Sequence, residues 1–169
     1  MTDSGMLSAA QVIQALGLEP HPEEGGYYRE TYRSAGVYQP GPAFSGLRSE
    51  STAIFYLLTD QTYSEMHRLP GDEIFHFYLG DPVEMLMLSP ALGSEIVTLG
   101  PQIGSMMLQH VVPGGTWQGS RLVEGGRWAL LGTTMAPGFD FADYEAGEAE
   151  ELARSYPEHR AMIEALCRR

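Results

Sequence analysis

The sequence predicts an all-β core, a sandwich or barrel, with short helices at its two ends, and three observations support this. Short β-favouring runs recur through the middle of the chain, each bounded by Gly, Pro or Asp turn signals. Several runs, such as Ile54-Phe55-Tyr56-Leu57-Leu58 and Met85-Leu86-Met87-Leu88, are apolar at successive positions and so need cover on both faces. Helical spacing is confined to the two ends, so alternating β and α units are not expected.

Leu7–Leu16 reads as a helix: Ser8 and Gln11 have capping-box spacing, Val12, Ile13 and Leu16 form one apolar face, and Gly17 is placed to end it. His21-Pro22-Glu23-Glu24-Gly25-Gly26 is a turn-rich connection, and Tyr27–Tyr32 a strand. Strands are then expected at Ala53–Leu58, Ile74–Leu79, Val83–Leu88, Met106–Val112 and Trp128–Thr134. Residues 147–169 return to helical spacing, with Leu152 and Tyr156 before Pro157 and Met162, Ile163 and Leu166 after it, as two short helices packed on the barrel. The outer faces of the apolar strands are expected to be covered by these terminal helices and by a second subunit.

The 169 residues suit one domain over 1–169, with 1–6 expected to be disordered. No apolar run approaches the roughly 20 residues of a membrane helix, and the first residues carry no signal-peptide pattern, so a cytoplasmic protein with no membrane partner is expected. The net charge of -12 disfavours nucleic acid as a partner. All the basic residues are Arg, which removes Schiff-base and phosphate-loop lysine chemistry. The one cysteine, Cys167, is read as packing in the terminal helix.

Two stretches carry candidate chemistry: Ser64-Glu65-Met66-His67-Arg68-Leu69-Pro70-Gly71-Asp72-Glu73-Ile74-Phe75-His76-Phe77-Tyr78-Leu79-Gly80 and Val111-Val112-Pro113-Gly114-Gly115-Thr116-Trp117-Gln118. Strand alternation puts Glu73, Phe75, Phe77 and Leu79 on one face and Ile74, His76 and Tyr78 on the other. Arg68–Asp72 reads as a hairpin turn that brings His67 to Glu73, and Pro113-Gly114-Gly115 turns the chain so that Gln118 faces the same space. The expected pocket is lined by His67, Glu73 and Gln118 within an aromatic wall of Phe75, Phe77 and Trp117. His67 and Glu73 could act as a hydrogen-bonded acid–base pair, or could hold a divalent metal with Gln118. Glu65 shares the parity of His67 and would add a second carboxylate. Tyr28 and Arg29 are further substrate contacts, a hydroxyl and a guanidinium fork. Arg33 is read as pairing on the surface, and Arg48 and Arg121 as exposed solubilising charge. Asp140, Asp143 and Glu145 read as a turn and helix N-terminus rather than a calcium site.

These stretches resemble the two motifs of the cupin superfamily. In that family the first motif carries His-x-His, a Glu and a later Gly; here Glu65 stands for one His, while His67, Glu73 and Gly80 are kept. The second motif ends in His where this chain has Gln118. With His21–Arg33, Ser51-Thr52-Ala53-Ile54 and Pro137-Gly138-Phe139-Asp140-Phe141, the chain resembles the fifth cupin family, single-domain proteins of unknown function. The resemblance implies a jelly-roll double-stranded β-barrel and a homodimer. By analogy it places the chain near cupins that epimerise or isomerise sugar nucleotides and sugar phosphates. Three readings stay open: isomerase-like acid–base chemistry on a sugar-like or acidic metabolite, with His67 and Glu73 catalytic; a non-catalytic metabolite-binding protein; and a metal-dependent oxygenase or lyase.

Overall fold

The computed structural model describes residues 6–167; most of the segment expected to be disordered, and the last two residues of the expected C-terminal helix, lie outside them. Helix α1 (Ala9–Leu16) starts at Ser8, whose hydroxyl accepts from Gln11 N while the Gln11 side chain accepts from Ser8 N, and ends where Gly17 turns left-handed (φ 63°). Then follow β1 (Glu19–Pro20), β2 (Tyr27–Arg33), β3 (Val37–Tyr38), β4 (Arg48–Ser49), β5 (Thr52–Thr59), β6 (Ser64–Arg68), β7 (Glu73–Gly80), β8 (Val83–Ser89), β9 (Gly93–Leu99), β10 (Gln109–Val112), β11 (Trp117–Leu122), β12 (Trp128–Met135) and β13 (Glu145–Ala146). The chain continues into α2 (Ala149–Ser155) and α3 (Arg160–Leu166).

The strands form two antiparallel sheets, ordered β1-β2-β5-β12-β7-β10 and β13-β6-β11-β8-β9, with β3 and β4 paired on their own. This is a double-stranded jelly-roll barrel, as expected. Between the sheets lies a core that includes Tyr56, Leu58, Phe75, Phe77, Met85, Met87 and Leu131. Each sheet is also covered outside. Val12 and Leu18, from α1 and its C-terminal turn, pack on Leu57, Trp128 and Leu130 of the first sheet. Leu152, Ile163 and Leu166 from α2 and α3 pack on Met66, Leu86 and Leu88 of the second. The strands that are apolar at successive positions therefore sit between a core and a helix, and burial of each such side chain stabilises by about 1.5–3 kcal/mol. Among the described residues no helix is long and apolar enough to cross a membrane.

The structure corrects several local expectations. Arg68–Asp72 is not a hairpin turn, because β6 and β7 belong to different sheets; the segment crosses between them. Strands β6, β9 and β11 were not expected, since their residues are largely polar or glycine. The Met106–Val112 run is strand only from Gln109. In β7 the pairing with β12 skips Tyr78, and this bulge turns Leu79 out of the core face to 60% exposure. Arg48 is buried rather than exposed. Its guanidinium is bidentate to Asp143 at 2.8 and 2.6 Å and also donates to Leu47 O and Ser45 Oγ. Asp140 caps a short 3-10 turn, as the carboxylates of that stretch were expected to do, through a 2.8 Å bond from Ala142 N.

Candidate functional site

The two turn motifs are built against one another. Gly115 N donates to Leu69 O at 2.8 Å, Gly114 N donates to Asp72 at 2.8 Å, and a side chain on Gly114 would meet the Pro70 carbonyl. This packing sets β11 beside β6, so that Gln118 and His67 are direct partners across the ladder. One residue beyond this pair the register slips: Ser120 opposes Ser64, leaving Glu65 and Met66 opposite Gly119. The bulge breaks the alternation from which Glu65 was expected to face inward with His67, and Glu65 is not part of the cavity lining.

His67 is 1% exposed, and its Nδ1 lies 2.6 Å from Glu65 O. A carbonyl only accepts, so Nδ1 carries the proton and Nε2 the lone pair. Burial pushes the imidazole pKa below its ordinary value, against the opposing pull of the Glu73 carboxylate, which keeps the ring neutral at pH 7. Tyr144 stacks on the ring at 5.1 Å. Gln118 in turn donates from Nε2 to Glu73 Oε2 at 2.8 Å. The motifs thus bring His67, Glu73 and Gln118 together.

Sequence reasoning missed the fourth member, Glu24. It sits in the loop His21–Gly26, which Gly25 (φ 95°) and Gly26 (φ 69°) bend into the end of the barrel. A Cβ on Gly25 would meet the Tyr63 carbonyl, and one on Gly26 would meet Leu57 O and the Tyr56 hydroxyl, so both positions demand glycine. The loop is held by Tyr56 Oη donating to Gly25 O at 2.7 Å and Glu65 N donating to Glu24 O at 2.8 Å. The Ser64 hydroxyl donates to the Glu24 carboxylate at 2.5 Å. His21 Nδ1 accepts from Glu24 N at 2.9 Å, which leaves the proton on Nε2, 3.9 Å from Glu24 Oε2. A carboxylate followed by two glycines, all within a turn, was the available signal.

Burial raises the pKa of Glu24 from 4.5 to about 7, with the nearby Glu65 charge adding to it and the hydrogen bonds of Ser64 and Tyr56 working against it. Glu73 also rises to about 7, first through burial and then through the charge of Glu24; His67, Gln118 and Thr133 oppose the rise. Both carboxyl groups line a cavity of about 370 Å³. Its wall includes Tyr28, Phe139, Phe141, Thr133 and His21, and Glu19, Glu30 and Arg33 stand among its lining residues. The ring of His21 lies 4.6 Å from that of Tyr28 and 5.8 Å from that of Phe141.

Several expected contacts lie elsewhere. His67 and Gln118 are buried but outside the cavity lining. Phe75 and Phe77 belong to the core between the sheets, not to the cavity wall. Trp117 alternates with Gln118 and so faces the C-terminal helices, under the Arg68 guanidinium at 4.5 Å. Tyr28 does line the cavity. Arg29 contributes to the wall, but its guanidinium lies over the Phe55 ring at 5.8 Å, on the α1 side of the sheet. His76, on the outer face of β7, bonds Thr134 Oγ1 at 3.0 Å.

The donor set does not fit a divalent metal. Among the described residues no three His, Cys, Asp or Glu side chains gather to hold an ion. Of the expected set His67, Glu73 and Gln118, the last directs an N–H, not its carbonyl oxygen, at Glu73.

Comparison with known proteins agrees with this architecture. The family model Cupin_5, described as Cupin superfamily (DUF985), matches residues 10–147. A solved protein from Shewanella oneidensis is 34% identical, with a TM-score of 0.84 over 96% of this chain and 99% of its own. A hypothetical protein from Leishmania major is 30% identical, with a TM-score of 0.85 over 96% and 100%. Oxalate decarboxylase from Bacillus subtilis, at 16% identity and a TM-score of 0.53 over 98% of this chain and 41% of its own, shares the fold alone. No curated protein matches the sequence.

Proposed function

The chain belongs to the Cupin_5 family of the cupin superfamily, and on that premise we propose that it is a small-molecule enzyme. Its cavity moves a proton on a sugar-like or acidic metabolite, as an isomerase or epimerase does. The observation that carries this reading is the pair Glu24 and Glu73, both buried, both lining one cavity, and both with a pKa of about 7. A general acid and a general base work best near the operating pH, and two coupled carboxyls in this range supply one of each.

The chemistry follows from one carboxyl being ionised while the other holds its proton. The ionised carboxylate takes a proton from a carbon beside a carbonyl; the C–H electron pair forms the new C=C bond, and the carbonyl oxygen receives the proton of the other carboxyl. In isomerisation the first carboxyl gives its proton to the former carbonyl carbon, while the second, now ionised, takes the hydroxyl proton of the carbon that lost its C–H, whose oxygen becomes the new carbonyl. In epimerisation a solvent water protonates the same carbon from the opposite face, the second carboxyl takes back the enol proton, and the first returns its proton to solvent. Gln118 and Thr133 hold Glu73 in place. The His21 Nε2–H faces Glu24, and neutral His67 lies close enough to Glu73 for each to feel the other's charge. Ser64 orients Glu24.

The test is proton exchange with solvent. The full chain is incubated in D2O with aldoses, ketoses, sugar phosphates and α-hydroxy acids, and deuterium at carbon is read by NMR. Deuterium entry that Glu73→Gln and Glu24→Gln each reduce at least roughly a hundredfold fits general acid–base catalysis by these groups. Entry that survives both substitutions would overturn the assignment.

A further inference from the structure

We propose that the cavity takes an uncharged monosaccharide-sized polyol, and that a phosphate or carboxylate on the ligand works against binding. This inference names the substrate class of the site above and rests on the acid–base reading of Glu24 and Glu73.

Charge is the first argument. The floor carries Glu24 and Glu73, and Glu19 stands on the exposed part of the lining. Of the two guanidinium groups that could offset them, one is paired on the surface and the other lies on the α1 side of the sheet. Arg33 donates from Nε and Nη2 to both oxygens of Glu30 at 2.9 Å each, and Nη2 also donates to Phe139 O at 2.9 Å. Arg29 sets its guanidinium over Phe55, on the α1 side of the sheet. No lysine exists in the chain to take their place. A ligand anion would enter a partly enclosed, low-dielectric space beside carboxylates, with the Arg33 fork already paired to Glu30 and the Arg29 guanidinium on the far side of the sheet.

Size and shape are the second argument. At about 370 Å³ the cavity is at the small end of ligand sites, which run from roughly 300 to 1,000 Å³. A nucleotide-linked sugar would not be enclosed. Tyr28, Phe139 and Phe141 provide apolar ring surface for the C–H face of a sugar. The two carboxyls, one ionised and one protonated, offer acceptors and a donor to its hydroxyls. Ring surface and hydroxyl-binding carboxyls in one cavity match the mixed C–H and O–H surface of a polyol.

The experiment is a competition between matched probes. Unphosphorylated pentoses and hexoses and their monophosphates are titrated into the full-length wild-type chain by calorimetry, and the same probes are followed for deuterium exchange. The expected result is that at least one neutral sugar binds at least roughly tenfold tighter than its own phosphate. Replacing Glu19 by Gln should narrow that gap by relieving repulsion of the phosphate. Tighter binding of the phosphates, or no saturable binding of any neutral sugar, would overturn the proposal. The two readings fail separately. A neutral sugar that binds without exchange leaves the substrate class standing and removes the catalytic reading. A phosphate that binds tightly and exchanges removes the class and leaves the catalysis.

Discussion

Gln118 Nε2 donates to Glu73 Oε2 over 2.8 Å, and this bond joins the two turn motifs at the point where the site is built. Gln118 is also the ladder partner of His67, so one side chain spans a base candidate and a carboxyl. The position therefore decides whether the set His67, Glu73 and residue 118 acts as an organic acid–base group or as a ligand set.

Gln118→His places a second imidazole beside His67 and Glu73, completing three strong donors. The variant is expected to bind Zn2+ or Mn2+ at least roughly tenfold tighter than the wild-type chain by calorimetry. Equal affinities would show that the missing donor does not lie at 118.

Stability should fall as the pH rises from 4.5 to about 7, the interval over which Glu24 and Glu73 stay protonated in the folded chain but ionise in the unfolded one. The contribution is most favourable below 4.5, is lost through the window and is flat above it, at about 3 kcal/mol for each carboxyl that makes the full shift. His67, lowered by burial, runs the other way: its contribution is lost as the pH falls below 6.5. Glu24→Gln, which still accepts from Ser64, should be more stable than wild type at about pH 8 and show a shallower slope. Thermal melts between about pH 5 and 8 measure both.

Gly25→Ala forces a side chain into a backbone with φ 95° and against the Tyr63 carbonyl. A loss of about 1–3 kcal/mol is expected in chemical denaturation. Because the same loop carries Glu24, ligand binding should fall further than in a variant of equal stability altered elsewhere, such as Ile163→Val on the buried face of α3.

Arg48→Ala strips the bidentate partner from Asp143, whose side chain is 7% exposed. The expected cost is about 1–3 kcal/mol, because a part-buried carboxylate loses both of its charge-assisted hydrogen bonds. Arg48→Lys should recover only part of it, since an ammonium cannot reproduce the fork. Urea unfolding of the three chains gives the comparison.

What the sequence made legible was local. The Ser8–Gln11 box, the Gly17 stop and the β-branched and apolar runs each act over a few residues, so the helix and the central strands could be read directly. Strands β6 and β11 are buried yet polar, because their inward residues serve the site, and such strands lack the usual alternation. Bulges at Glu65–Met66 and at Tyr78 shift parity by one, and the second turned Leu79 off its expected face. Glu24 and Arg48 depend on contacts across 40 and 95 residues, to Ser64 and Asp143, which no local pattern announces. The pairing of His67 with Gln118 was visible only because both belong to motifs with a known spacing.

The most direct test of the acid–base account is the titration of the two carboxyls. Protein labelled with 13C at the glutamate side-chain carboxyl is followed by NMR from about pH 3 to 9, with Glu24→Gln and Glu73→Gln to assign the signals. Two glutamates titrating near 7, with Glu73 moved down when Glu24 is replaced, is the predicted result. Glutamates that all titrate below about 5 would mean that neither carboxyl holds a proton at neutral pH, and the account would be wrong.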